Sequence, residues 1–156
     1  MAFLSEASKN ETLSHLNAPA SSGALAQGYS LAAYTLPANA FKRVGQAVRI
    51  RAFGTTGTNA NTKTIALRFG GTTLNASATG ATSNGAWKLD AIVVYQGAAN
   101  LQAQCDGYAF AAALAPVNTA LTTDMTAAQV IDILGTNGSA SADVTVNGFE
   151  VEGLSD

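Results

Sequence analysis

The sequence predicts an all-β fold of antiparallel strands packed as two sheets, and three observations carry that expectation. The first is a pair of alternating segments, QAVRIRAF (46–53) and TKTIALRF (62–69). Val48, Ile50 and Ala52 take one side of the first segment, and Arg49 and Arg51 the other. In the second, Ile65, Leu67 and Phe69 share a face opposite Thr64, Ala66 and Arg68. A period of two, rich in β-branched and aromatic residues, belongs to a strand buried on one side. Secondly, the linker GTTGTNAN (54–61) supplies the turn chemistry that closes such a pair. Thirdly, six further strand-like segments follow the spacing of all-β domains.

Taken in order, residues 1–26 differ from the rest. They hold the only histidine, His15, and lead into NAPASSGALAQG (17–28), which reads as a linker. Ser8 and Glu11 stand at capping-box spacing and predict a short helix over 9–16. With no core stripe of its own, this arm is expected to dock on a neighbour through Phe3, Leu4, Leu13 and Leu16. The β domain then spans 27–156. QGYSLAAYTL (27–36) is ended by Pro37, which cannot donate to a central ladder. After 46–53 and 62–69 come TTLNAS (72–77) and AWKLDAIVVYQ (86–96). The latter sets Lys88 and Asp90 opposite Trp87 and Leu89, then turns apolar on both sides, as a strand buried on both faces would. LQAQCDGYAFAA (101–112) changes phase at Gly107, where a bulge is expected.

Two segments admit two readings. TDMTAAQVIDILG (123–135) is a helix if Asp124 or Thr126 caps it and Gly135 stops it. As a strand it points Ile131 and Ile133 inward and Asp132 outward, and its β context favours that reading. ADVTVNGFEVE (142–152) shifts phase at Asn147–Gly148, by a hairpin turn or a bulge. Four residues on each side make a very small hairpin, so the bulge is preferred. Eight antiparallel strands in two packed sheets is the strand count of a jelly-roll sandwich.

Composition narrows function. Of the 47% of residues that are apolar, 32 residues are alanine, so the larger hydrophobes form a thin core. Such a core is expected to gain from intersubunit burial, and only 12% of residues are charged, which suits contact with other protein chains. The net charge of −2 excludes bulk attraction to nucleic acid. Its distribution is uneven: seven basic and no acidic residues lie between Thr12 and Leu89, and eight acidic and no basic ones between Asp90 and Asp156. Interleaved strands would pair these charges across the sheets. Arg49, Arg51, Lys63 and Arg68 are therefore expected near Asp106, Asp132, Asp143 and Glu150. MAFLSEASKN lacks the basic start of a secretory signal, so synthesis and folding in a cytoplasm are expected, and no apolar run suits a membrane span.

No catalytic residues are assigned. The acids sit singly on alternating positions rather than as a pair about a scissile bond. The only histidine lies in the arm, and one Cys with one His cannot make a zinc site. FGGTT (69–73) lacks the Lys-Ser/Thr and helix of a phosphate loop. No metal or cofactor is expected. Cys105 reads as a small buried hydrophobe. Asn10, Asn75 and Asn137 match the glycosylation pattern by chance in a Thr/Asn-rich chain. Trp87, Tyr29, Tyr34, Tyr95 and Tyr108 would stack on sugars if exposed, but Trp87 and Tyr95 share a face with Leu89, Ala91 and Val93, which favours the core.

Four segments, YTLPANAFKRVGQAVRIRAFGTT (34–56), TKTIALRFGGTTL (62–74), AWKLDAIVVY (86–95) and DVTVNGFEVEG (143–153), resemble small jelly-roll virion proteins of tailed bacteriophages. That resemblance implies a head decoration (cement) protein, a homotrimer that binds the major capsid protein and stabilises the outer surface of the head. Related tail or fibre modules, which bind a host-surface glycan, are the alternative it implies.

Overall fold

The computed structural model describes residues 10–15, 20–21, 29–77, 80, 85–137 and 143–154. The chain runs β1 (Asn10–His15), β2 (Ala20–Ser21), β3 (Tyr29–Leu36), β4 (Ala47–Thr56), β5 (Lys63–Phe69) and β6 (Thr72–Ala76). It continues through β7 (Ala86–Gly97), β8 (Asn100–Ala109), β9 (Ala112–Leu121), β10 (Gln129–Asn137) and β11 (Val144–Leu154). Sheet A orders its strands β1-β11-β4-β7-β8-β9, with β2 also paired to β11; sheet B is β3-β10-β5-β6. Every pairing is antiparallel. The fold is an all-β antiparallel jelly-roll sandwich in which early strands lie beside late ones: β4 pairs β11, and β10 sits between β3 and β5.

The alternating segments face as expected. Val48, Ile50 and Ala52 are fully buried beneath sheet A, and Ile65, Leu67 and Phe69 meet them from sheet B. Trp87, Leu89 and Val93 from β7 and Ile131 and Ile133 from β10 complete the middle of the core. Each such side chain contributes roughly 1.5–3 kcal/mol on burial. The segment 123–135 contributes a strand, β10. Its helix-like start is a single turn, in which the Thr126 amide and hydroxyl donate to Asp124 Oδ1 at 2.9 and 2.7 Å. Both bulges are present: the β8–β9 register shifts between Cys105 and Gly107, and the β4–β11 register between Val146 and Gly148. β11 runs on through Asn147–Gly148 without a hairpin.

Several expectations are corrected. Residues 10–15 are extended, not helical, because β11 offers an unpaired edge that β1 fills along its backbone. One strand beyond the eight expected from residue 27 onward exists, β9; AALAPVNTAL has no alternation of large side chains, and only Leu121 in it is buried. The strands 46–53 and 62–69 do not form a hairpin with each other. β4 belongs to sheet A and β5 to sheet B, and the connection between them turns the corner of the sandwich. Nor is β7 buried on both faces: Ile92 and Val94 are half-exposed on the outer side of sheet A.

A polar knot holds the corner between β4 and β5. Lys63 is 1% exposed, and its ammonium donates to Asn61 O at 2.8 Å, Asn59 O at 2.9 Å and Asn59 Oδ1 at 3.2 Å. Asp143, fully buried, accepts from the side-chain amides of Asn59 and Asn61. The expected meeting of Lys63 with Asp143 thus runs through asparagines that satisfy both ends. A buried charge requires such partners. Asn75 makes a second buried tie, donating from Nδ2 to Cys105 O and Ala115 O at 3.0 Å each, so sheet B is fastened to β8 and β9.

Candidate ligand-binding face

Side chains alternate across a strand, so the residues of sheet A that do not enter the core project from one outer face. Register arranges them in rows. One row runs Gly148, Phe53, Lys88, Tyr108 and Ala113. The next holds Glu150, Arg51, Asp90 and Asp106. Beyond it lie Glu152, Arg49, Ile92 and Gln104.

The three cations of this face are all paired. Arg49 Nη1 lies 3.4 Å from Glu152, Arg51 Nε 3.6 Å from Asp90, Arg51 Nη1 4.0 Å from Glu150, and Lys88 Nζ 3.4 Å from Asp90. The interleaving of basic and acidic halves expected from the sequence is realised here, and again on sheet B, where Arg68 Nε donates to Asp132 Oδ1 at 3.0 Å. Two details depart from expectation. Asp132 points away from the core yet is buried, because the Arg68 guanidinium lies over it. Asp106 faces Asp90 rather than a cation and makes no ion pair or side-chain hydrogen bond among the described residues.

Between these rows is an open hollow of about 210 Å³ lined by Arg49, Asp90, Ile92, Gln104 and Asp106. Beside it stand two aromatic rings, Phe53 at 54% and Tyr108 at 43% exposure. They flank Lys88 two strand spacings apart, roughly 10 Å. Both glycine bulges border this row. A Cβ at Gly148 would fall 2.3 Å from Phe53 Cε1, so only glycine lets the ring lie against β11. At Gly107 a Cβ would fall 2.1 Å from Lys88 O, so only glycine lets β8 approach β7 next to Tyr108. Bulges re-aim side chains and concentrate beside binding sites.

The other aromatic candidates are occupied structurally. Trp87 is buried, its indole N–H donating to Thr145 O at 3.2 Å. Tyr95 stacks on Phe41 with ring centroids 5.2 Å apart, and Tyr34 packs half-buried against the core. The Tyr29 side chain lies outside the described residues, as do Phe3, Leu4 and Leu16; Leu13 falls within β1. Of the sugar-stacking candidates whose side chains are described, Tyr108 alone is exposed. Phe53 was not singled out by sequence, although its parity with Arg49 and Arg51 already put it on the outer side of β4.

Cys105, beneath Asp106, is buried; that burial, then the charges of Asp106 and Asp90, push its thiol up to about 12. Among the described residues no group of three or more His, Cys, Asp or Glu is placed to hold a metal ion. No helix among them is long and apolar enough to cross a membrane.

No family model matches the chain, and no curated protein matches it. Solved structures similar to it include the CBM2 module of the evolved Dit of Lactobacillus casei BL23 phage J-1, at 10% identity and a TM-score of 0.47, covering 95% of this chain and 97% of that one. The C-terminal domain of EclA, a sugar-binding protein, is 6% identical with a TM-score of 0.40, over 83% and 79% of the two chains. The infectious bursal disease virus Gx strain structure is 9% identical with a TM-score of 0.34, over 93% of this chain and 31% of that one. These likenesses are loose, and the fold assignment rests on the strand order and core described above.

Proposed function

We propose that the chain is a non-enzymatic structural protein of a bacteriophage virion, a trimeric decoration protein on the outer surface of the head. The observation that favours an assembly component is where the charges lie. Lys63 and Asp143 are buried in the corner, and Arg49, Arg51, Lys88 and their acids are gathered on sheet A. Among the described residues, the outer face of sheet B is left with Ala33, Thr35, Thr73 and Val130 exposed around the ion pair Arg68–Asp132, whose carboxylate is buried. Interface centres are depleted in charge because desolvating ions is unfavourable, and this face has little to desolvate. Its proposed partners are two further copies of the chain and the major capsid protein, the latter through the arm residues Phe3, Leu4, Leu13 and Leu16.

Imaging intact particles that carry a labelled copy tests the reading directly, with label on heads expected and label confined to tails overturning it. Sedimentation at micromolar concentration is expected to give a trimer. Val130→Lys, which puts a charge on sheet B without touching the core, is expected to abolish trimerisation or head attachment while leaving the monomer folded. Deleting the whole arm would also strip β1 and β2 from β11, so Phe3→Ser with Leu4→Ser is the cleaner probe of the arm.

A second reading, a tail or fibre module that binds a host-surface glycan, is favoured by the exposed row of Phe53 and Tyr108 beside the polar hollow.

A further inference from the structure

We infer that the outer face of sheet A is a binding site for a neutral glycan chain, with Phe53 and Tyr108 as stacking platforms and Gln104 and Asp106 as hydrogen-bonding groups. The inference deepens the glycan reading and does not depend on whether the module sits on head or tail.

Ring geometry comes first. A pyranose has an apolar face of C–H bonds and a polar rim of hydroxyls, so it needs a flat apolar surface next to acceptors and donors. Exposed aromatic rings supply that surface with little conformational entropy to lose. Phe53 and Tyr108 project from the same face of a continuous β4-β7-β8 ladder, separated by Lys88. Their spacing of roughly 10 Å is about the length of a disaccharide, and the ladder fixes it rigidly. Exposing a phenyl ring at 54% is unfavourable for the isolated protein, and the Gly148 bulge is what positions it.

Polar chemistry then selects the ligand class. The hollow, which begins one row along the strands from the rings, carries the exposed side chains of Gln104 and Asp106, neither of which makes a side-chain hydrogen bond among the described residues. A free carboxylate accepts from vicinal hydroxyls, and a free amide both donates and accepts. Anionic sugars find no such welcome. All three cations of the face are already engaged by carboxylates, and the face carries four acids, Asp90, Asp106, Glu150 and Glu152, against Arg49, Arg51 and Lys88. A uronate or sulfate group would meet Asp106 without a free cation to balance it.

Affinity gels containing amylose, dextran or galactan, backed by an array of neutral and acidic glycans, test the proposal on the full chain. Retardation by at least one neutral polymer is expected, with acidic probes at least tenfold weaker. Phe53→Leu, which keeps an apolar cover over Gly148, and Tyr108→Ala are each expected to weaken binding at least tenfold with an unchanged melting temperature. Asp106→Ala is expected to weaken it several-fold. Binding to neutral glycans that ignores all three substitutions overturns the site but leaves the glycan reading standing. Tighter binding to acidic glycans overturns the ligand class. Failure of every glycan to bind, with Phe53→Leu and Tyr108→Ala instead losing attachment to particles, overturns both and makes this face a protein-docking surface.

Discussion

The outer faces of the two sheets treat charge in opposite ways. On sheet A three partly exposed acids and three cations form a loose mesh with contacts of 3.4–4.0 Å, and the exposed Asp106 stands outside it. Sheet B has one close pair, Arg68–Asp132, whose carboxylate is 5% exposed. Both derive from the same division of the sequence into a basic first half and an acidic second half, brought together as β4 meets β11 and β5 meets β10. The difference lies in the neighbours. Small side chains, Ala33 and Thr73, sit beside the pair on sheet B and leave room for the guanidinium to meet the carboxylate with two donors. Long side chains on sheet A hold their heads in water, where ion pairs are weak. Sheet A is therefore a wet, polar surface with two rings in it, and sheet B a charge-poor one.

The largest consequence concerns Arg68. Removing it takes away two charge-assisted hydrogen bonds and uncovers the carboxylate it had shielded, a loss of about 1.5–3 kcal/mol. Arg68→Ala is expected to lower the denaturation midpoint accordingly, whereas Arg68→Met with Asp132→Leu recovers most of the loss. A single variant as stable as the parent would show that the sheet B pair is as weakly coupled as those on sheet A.

Next in size is an effect of the sheet A charges on the interior. Cys105 lies under Asp106 and Asp90, and its thiol is raised from 9.0 to about 12, by burial first and by those two charges second. A group whose folded pKa is raised contributes fully below its unfolded value, and its contribution is lost as pH rises towards the folded one. Stability is therefore expected to fall from about pH 9 upward, by roughly 1.4 kcal/mol per pH unit at most. Cys105→Ala removes this alkaline slope, and Asp106→Asn leaves its onset in place but ends it at a slightly lower pH. A slope that persists in Cys105→Ala would assign the alkaline loss to other groups.

The sequence made the fold legible where large side chains alternate, as in β4, β5 and β11, because period-two burial leaves a direct trace. It was silent at β9, whose alanines and Pro116 carry no such trace, and misleading at 9–16, where a capping-box spacing met an open sheet edge. Turn residues at 54–61 announced a reversal of the chain but not that it crosses from one sheet to the other. That depends on Lys63 and Asp143, 80 residues apart in sequence, closing over Asn59 and Asn61. For the candidate site, Tyr108 was legible only as one of five aromatics that would stack on sugars if exposed. Its partnership with Phe53 and Gln104 was not, because it follows from the register of β4 on β7 on β8, which local sequence does not encode.

The smallest expected effect is the one that most sharpens the contrast between faces. Arg51 bridges Asp90 and Glu150 with its side chain 46% exposed, so water screens both contacts. Exposed pairs contribute about 0.2–1 kcal/mol each. Arg51→Ala should therefore destabilise by no more than about 1 kcal/mol, part of it repulsion among the acids left behind. That loss should shrink as salt is raised towards 1 M, where the screening length falls to about 3 Å. The Arg68→Ala loss should change less over the same range, since two direct hydrogen bonds hold the 30% exposed guanidinium against a carboxylate that is only 5% exposed. Chemical denaturation by urea at low and high salt, on both variants and the parent, separates the two. Equal salt dependence at Arg51 and Arg68 would mean that the sheet B face is as wet as sheet A, and would remove the argument that it is the face suited to an interface.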